Sequence, residues 1–402
     1  MLRQGDPERM DVKTSSKLIR RFVGPCAKEV FLICRPQMAG GDGLVRQISS
    51  VYRQLRDAMR AEGGTLEHVV RETIFFRNIL RDLEDFVHER KRIIQEMGAS
   101  NAYCPAPVFV EQPPLDTSAR FEISVHAVIP HPHVSTATWT MPSALHCSCN
   151  GKSEVGARVL LLAGEKHVFA GNIYGSPGHP FEEGLDMFRV AEDILKYEGM
   201  DFRSVARTWI YLRDMERDYG DFNRARRAFF QSRGIELRPA STGICGTPSP
   251  EKHNYVMGFY AIQSPHPVPT EAMTTPTLNE AHEYGSDFSR GLRVVDANKV
   301  ALFVSGTASV DEQGSTVHVD DFDAQVERMM LNVEVLLDRQ GSSFSDIVNA
   351  VTYIKRGADA PRFARVLKEK GMDCFPNVVV EAGVCRTDLL CEIEALAFLP
   401  RK

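Results

Sequence analysis

The chain has 402 residues, 43% of them hydrophobic and 25% charged, with a formal net charge of −5. No apolar run approaches the roughly 18 residues of a membrane-spanning helix, and an acidic balance gives no general attraction to phosphate backbones. Neither a membrane nor a nucleic acid is therefore expected as a partner, and the length points to about two to four domains.

Residues 1–17 mix Arg, Asp, Glu and Lys without the apolar stretch of a secretory signal. The nine cysteines are scattered and odd in number, which suits free thiols. Both features make the cytoplasm the expected location. The first amphipathic helix is predicted over 51–59, followed by a turn at Gly63-Gly64 and a strand over 69–76. A second helix carries Phe86, a Pro-led strand starts near Pro105-Ala106-Pro107, and an alternating strand covers 121–129. The Pro-rich stretch 130–156 reads as a linker. Within it, His146-Cys147-Ser148-Cys149 has no second His/Cys pair at ligand spacing, so no metal and no other cofactor is expected.

The same grammar then returns twice. In the second copy a helix is predicted over 190–197, with Gly199, a strand over 205–212, a helix carrying Phe222, a Pro239-led strand and a terminal strand over 255–262. After a second linker-like stretch, 264–285, the third copy has a helix over 326–337, Gly341, a strand over 347–354, a helix carrying Phe363, a Pro376-led strand and a terminal strand over 391–399. The three middle strands align without gaps, with an aromatic six residues after the first β-branched one: Phe75, Tyr211 and Tyr353. This is a domain-sized repeat, expected to divide into 1–135, 155–265 and 283–402. The basic runs at 88–92 and 224–227 fall on predicted helices and read first as solvated faces. The loop from Asn172 to Gly178 has no following Gly-Lys-Ser/Thr and is no phosphate-binding loop.

The third copy, with Asn332, Leu336, Gly341, Asp346-Ile347-Val348, Phe375-Pro376 and Glu392-Ile393-Glu394-Ala395, resembles the RidA/YjgF family over nearly its whole length. That resemblance implies an α+β fold: three tandem RidA-like (chorismate-mutase-like) domains in a pseudo-threefold arrangement, sheets inside and helices outside, one chain standing for a whole trimer. A monomeric pseudo-trimer is the expected state. Copies two and three resemble the narrower chorismatase group through Ala206-Arg207-Thr208-Trp209-Ile210-Tyr211, Tyr219-Gly220-Asp221-Phe222-Asn223-Arg224-Ala225-Arg226, Pro239-Ala240-Ser241-Thr242-Gly243-Ile244, Tyr284-Gly285-Ser286-Asp287-Phe288-Ser289-Arg290, Ser305-Gly306-Thr307-Ala308-Ser309, and Val384-Cys385-Arg386 running on to Glu394.

The chorismatase resemblance implies cleavage of an enolpyruvyl ether, chorismate giving a benzoate-type product and pyruvate, with a glutamic acid protonating the methylene carbon. Glu392 matches that acid. Glu122 occupies the same place in copy one and Val256 in copy two, so the three clefts cannot be chemically equal. The expected ligand is a small carboxylate-bearing molecule. Arg386, Arg226 and Arg290 are candidates to hold it because a guanidinium meets a carboxylate with two parallel hydrogen bonds. Tyr211 is a further candidate, Thr242 and Gly243 are expected to offer backbone N–H groups from a turn, and Ala308 to leave room for a ring. The site is expected between copies two and three. Two other readings stand beside this one: a RidA-type imine or enamine deaminase, and a non-catalytic small-ligand-binding relative. The deaminase needs an Arg just after the Pro of the penultimate strand, and Pro105-Ala106-Pro107, Pro239-Ala240-Ser241 and Pro376-Asn377-Val378 all lack one.

Overall fold

The computed structural model describes residues 17–37, 43–98, 105–141, 156–249, 251–281 and 285–401. Its first unit runs β1 (Lys17–Val23), β2 (Ala27–Cys34), α1 (Leu44–Ala61), β3 (Val69–Phe76), α2 (Ile79–Glu96), β4 (Ala106–Glu111) and β5 (Phe121–Pro130), with sheet order β1-β2-β5-β3-β4. The second runs β6 (Thr136–Thr140), β7 (Ala157–Leu162), β8 (Glu165–Ile173), α3 (Pro180–Tyr197), β9 (Val205–Leu212), α4 (Met215–Ser232), β10 (Ala240–Cys245) and β11 (Tyr255–Gln263). The third runs β12 (Thr270–Ala272), β13 (Gly291–Val295), β14 (Val300–Ala308), α5 (Phe322–Asp338), β15 (Ile347–Ile354), α6 (Ala360–Glu369), β16 (Asn377–Glu381) and β17 (Cys391–Leu399). Both later sheets repeat the first order and add one edge strand, β6 or β12.

The three middle strands occupy the ranges their patterns predict. The opening hairpins β1–β2, β7–β8 and β13–β14 were not predicted. Runs such as Val30 to Cys34 and Val300 to Val304 are buried throughout, as the middle strands nearly are, and no helix and glycine turn directly precede them to set a register. The stretches 130–156 and 264–285 are more than linkers, since β6 pairs with β7 and β12 with β13. The run from His146 to Cys149, and Tyr284, lie outside the described residues.

Each sheet has two buried faces. In β9, where every residue is buried, Val205, Ile210 and Leu212 join Phe188, Phe222 and Phe229 of α3 and α4. The neighbours Ala206, Trp209 and Tyr211 turn to a core shared with Phe31 of β2 and Phe303 of β14. Copy one repeats this with Phe86 and Phe76 on the helix side and Phe75 on the shared side. Aromatic pairs tie the units at the centre: Phe31 with Phe398, His126 with Phe169, and Tyr260 with Phe303. Edge strands complete the joints, β4 packing on β8 and β10 on β14. Asn78 and Asp214, at matching places, cap α2 and α4 by accepting from Arg81 and Arg217 N–H. Among the described residues no helix is long and apolar enough to cross a membrane.

Candidate active site between the second and third copies

Edge strand β10 runs parallel to β9 and presents its outer edge to copy three. Ser241 N–H donates to Ser305 Oγ at 2.9 Å, and that hydroxyl donates to Ser289 O at 2.6 Å. Cys245 N–H donates to Gly383 O at 3.1 Å. Residues 241 and 245 thus turn their N–H groups outward, and the alternation of a parallel strand turns Gly243 N–H the same way. Thr242 and Gly243 therefore lie in a strand, not in the expected turn. Gly243 faces the cleft by its strand edge, while the Thr242 hydroxyl accepts from Arg207 and its methyl points at Gly306.

The cleft holds about 510 Å³, inside the range of small-molecule sites. Glu392 stands on its copy-three wall, opposite Ala308 of β14 and Tyr353 of β15. Ladder register breaks in β14 between Val304 and Thr307, where Gly306 sits. A Cβ on Gly306 would overlap the Glu392 carboxyl oxygen and press on Thr242 Cγ2 at 3.3 Å. The glycine makes room for the acid. Gly306→Ala is accordingly expected to displace the carboxyl and lower turnover by on the order of 10² with the fold intact. Activity together with near-UV circular dichroism checks this, and an unchanged rate would show the carboxyl position to be uncritical.

Glu392 is 4% exposed and, among the described residues, forms no ion pair. Burial pushes its carboxyl up to about 8, the nearby Glu394 charge adds to that, and Arg290 and Arg207 pull the other way. The copy-one equivalent, Glu122, is also raised by burial, but Arg35 Nε donates to it at 2.7 Å. Copy two has Val256 there. An acid without a bound cation facing a cleft occurs at one of the three equivalent positions.

The basic run on α4 separates by environment. Exposed Arg224 pairs with Asp221, and Arg227 donates to Asp287 at 3.0 Å. Arg226 instead turns inward, 3% exposed, its guanidinium near the rings of Phe222 (5.0 Å) and Phe288 (5.4 Å) and donating to Asn223 Oδ1 at 2.6 Å. Arg290 is held by Asn279, donating to its backbone oxygen at 2.7 Å and its side-chain oxygen at 3.0 Å. Arg386 donates to Gly314 O at 2.6 Å. All three arginines line the same cleft as Glu392, Gly243 and Ala308. Tyr211 does not. It is buried on the inner face of β9 within the shared core, because position 211 has the parity of Trp209, which faces the centre.

Sequence reasoning passed over three residues that shape the site. Ser305 bolts β10 to copy three, and Phe288 flanks Arg226. Glu394 lies two residues beyond Glu392 and accepts from Arg207 Nη2 at 2.8 Å and Trp209 Nε1 at 2.9 Å. Two acids at i and i+2 in an otherwise apolar strand were the signal for Glu394, since that spacing puts them on one face.

Three repeated β-β-α-β-α-β-β units closed around a common core, with a buried acid and clustered arginines between two of them, define a tandem α+β protein with a composite cleft. The family model described as Endoribonuclease L-PSP matches residues 286–399. A RutC family protein of Saccharolobus solfataricus is 30% identical over 111 residues, covering 27% of this chain and 85% of that protein. The chain belongs to the RidA/YjgF family. A 3-hydroxybenzoate synthase of Streptomyces hygroscopicus is 28% identical over 222 residues, spanning 50% of this chain and 65% of that protein's length. A solved chorismatase structure superposes with a TM-score of 0.60 over 92% of this chain and 99% of its own, at 16% identity, a likeness of fold.

Proposed function

We propose that the chain is a chorismatase-like hydrolase that cleaves an enolpyruvyl ether, with chorismate as the substrate class and Glu392 as the general acid. The observation that carries this reading is a buried carboxyl pushed up to about 8 in a cleft with three arginines. Such an acid holds its proton at neutral pH, as carbon protonation requires. Glu392 gives its proton to the terminal methylene carbon, and the positive charge that develops is shared with the ether oxygen. Water adds to that cation and its proton returns to the carboxylate. The hemiketal then collapses to pyruvate and the freed alcohol. Arg226, Arg290 and Arg386 hold the substrate carboxylates, Gly243 N–H supplies a further donor, and Ala308 leaves space beside the acid.

Release of pyruvate from chorismate by the purified chain tests the proposal. Pyruvate at substrate-dependent rates is the expected result, and none released with chorismate intact overturns it. Arg386→Ala is expected to weaken substrate binding by about 1.5–3 kcal/mol, the loss of one charge-assisted hydrogen bond, while turnover at saturation falls less. A KM that stays put in that variant removes Arg386 from the binding set. The deaminase reading gains no support: at the position after the Pro of the penultimate strand stand Ala106, Ala240 and Asn377, and Asn377 donates to Thr352 Oγ1 at 2.9 Å.

A further inference from the structure

The short segment from Gly285 to Arg290 belongs to copy three, yet it lies across the seam with copy two and forms one side of the cleft. From Ser286 onward it alternates. Ser286, Phe288 and Arg290 line the cleft, whereas Asp287 and Ser289 turn away from it and are bonded to copy two. An extended backbone has this two-residue period, so one face of a short segment can meet a ligand while the other is anchored.

The anchor at the far end is a backbone one. Ser289 N–H donates to Pro239 O at 3.2 Å, its hydroxyl donates to Arg238 O at 2.7 Å, and its carbonyl accepts from Ser305 Oγ at 2.6 Å. Ser289 thus forms a parallel bridge with Ala240 of β10. The anchor at the near end is ionic. Gly285, with a φ of +90°, turns the chain onto α4, where its carbonyl accepts from Arg227 Nη2 at 2.6 Å. The buried carboxylate of Asp287 accepts from Arg227 Nε at 3.0 Å and lies 3.6 Å from Arg238 Nε. Ser286 Oγ also meets Tyr219 OH of α4 at 3.3 Å. A planar guanidinium that aims two donors at residues 285 and 287 fixes the direction of the segment as well as its distance. Between the two anchors stands Phe288, whose ring centre is 5.4 Å from the Arg226 guanidinium carbon and 5.7 Å from that of Arg290.

We propose that Asp287 is a positioning residue of the cleft: with Arg227 it latches residues 285–290 of copy three to α4 of copy two, and so sets where Phe288 stands beside Arg226 and Arg290. Arg227 lines the same cleft, but its Nε and Nη2 serve the latch, and its part in substrate binding is exerted through Asp287. The effect on substrate rests on the function proposed above, whereas the latch is a property of the unliganded chain.

Two measurements on the full chain test this, the first without substrate. In Asp287→Ala, amide hydrogen exchange over residues 285–290 is expected to quicken by about tenfold or more while the strands of both copies keep their protection, because a local anchor has gone. Arg227→Met, at a half-exposed side chain, is expected to do the same and serves alone should Asp287→Ala fail to fold. Unchanged exchange in these variants overturns the latch whatever the substrate is. With chorismate, Asp287→Ala is expected to raise KM by about tenfold, the effect of one lost charge-assisted hydrogen bond, with kcat changed by less than about twofold. The double variant is expected to match Asp287→Ala, since both substitutions remove one and the same contact. Effects on KM that multiply in the double variant would mark Arg227 as a direct substrate ligand and overturn its assignment to the latch. A KM that stays put while residues 285–290 exchange faster overturns the positioning role. An unaltered chain inert toward chorismate refutes the proposed function instead, and the exchange experiment then decides the latch by itself.

Discussion

Glu392→Gln is expected to lower turnover of an enolpyruvyl ether by on the order of 10² or more, with substrate binding changed far less, because Gln keeps the shape of the acid and has no proton to give. On the proposed function the same carboxyl is expected to set the pH profile. With burial, then the Glu394 charge, holding it at about 8 against Arg290 and Arg207, the protonated form dominates at neutral pH and the rate falls as pH rises through about 8. Stability carries the same signature. The folded state keeps this proton at pH values where the unfolded chain has lost it, so stability declines as pH rises from the ordinary Glu value toward about 8 and levels off above. Glu392→Gln removes that decline. Steady-state rates and thermal midpoints at matched pH values check both halves. Glu122→Gln is the control, since Arg35 already occupies that carboxyl. If Glu122→Gln abolishes pyruvate release while Glu392→Gln does not, the chemistry belongs to the other cleft.

The repeated middle strands were legible because each carries apolar residues on both sides of a period-two ladder and ends in a glycine-led turn upstream. The matching places of Phe75, Tyr211 and Tyr353 fixed the register of the copies, and all three are fully or nearly fully buried. The second strands of the opening hairpins are as buried as the middle strands, and the hairpins were not legible because, among the described residues, no helix and glycine turn directly precede them to set the copies in register. For the site, Glu392 could be read as the first of two acids in an otherwise apolar strand, and Arg226 as one of three basic residues on a helix. What set Arg226 apart from Arg227 was not local, since Asp287 of another copy pairs with Arg227 and Phe288 of that copy flanks Arg226, whereas Arg224 pairs with Asp221 one turn away on the same helix. Thr242 and Gly243 followed a Pro and so suggested a turn, but β9 lay ready as a parallel partner and the strand won. Tyr211 belonged to a motif that matched the chorismatase pattern, yet strand parity sends it to the shared core rather than the cleft. Long-range pairing decided each of these.

Glu394→Gln is expected to cost about 3 kcal/mol of stability and to move the descending limb of the pH–rate profile to lower pH. The stability loss follows from burial of both partners, 6% exposed for Glu394 and 2% for Arg207, so that neutralising the acid leaves a buried guanidinium without its carboxylate. Gln still accepts one hydrogen bond from Arg207 or Trp209, which places the cost at the low end of the range for broken buried pairs. The shift in pH follows from position, because Glu394 is the nearby charge that raises Glu392 and Arg207 is one of the cations that lowers it. Removing the Glu394 charge takes away the first influence and frees the second, and both act in the same direction. On the proposed function, Glu394 is therefore expected to tune Glu392 rather than to touch substrate. Chemical denaturation of Glu394→Gln, Arg207→Met and the double variant gives the coupling between the two, and the pH–rate profile of Glu394→Gln gives the tuning. A limb that stays near 8, or moves to higher pH, would assign Glu394 to the scaffold alone, whereas a purely structural role cannot move it to lower pH while the acid at 392 is unchanged.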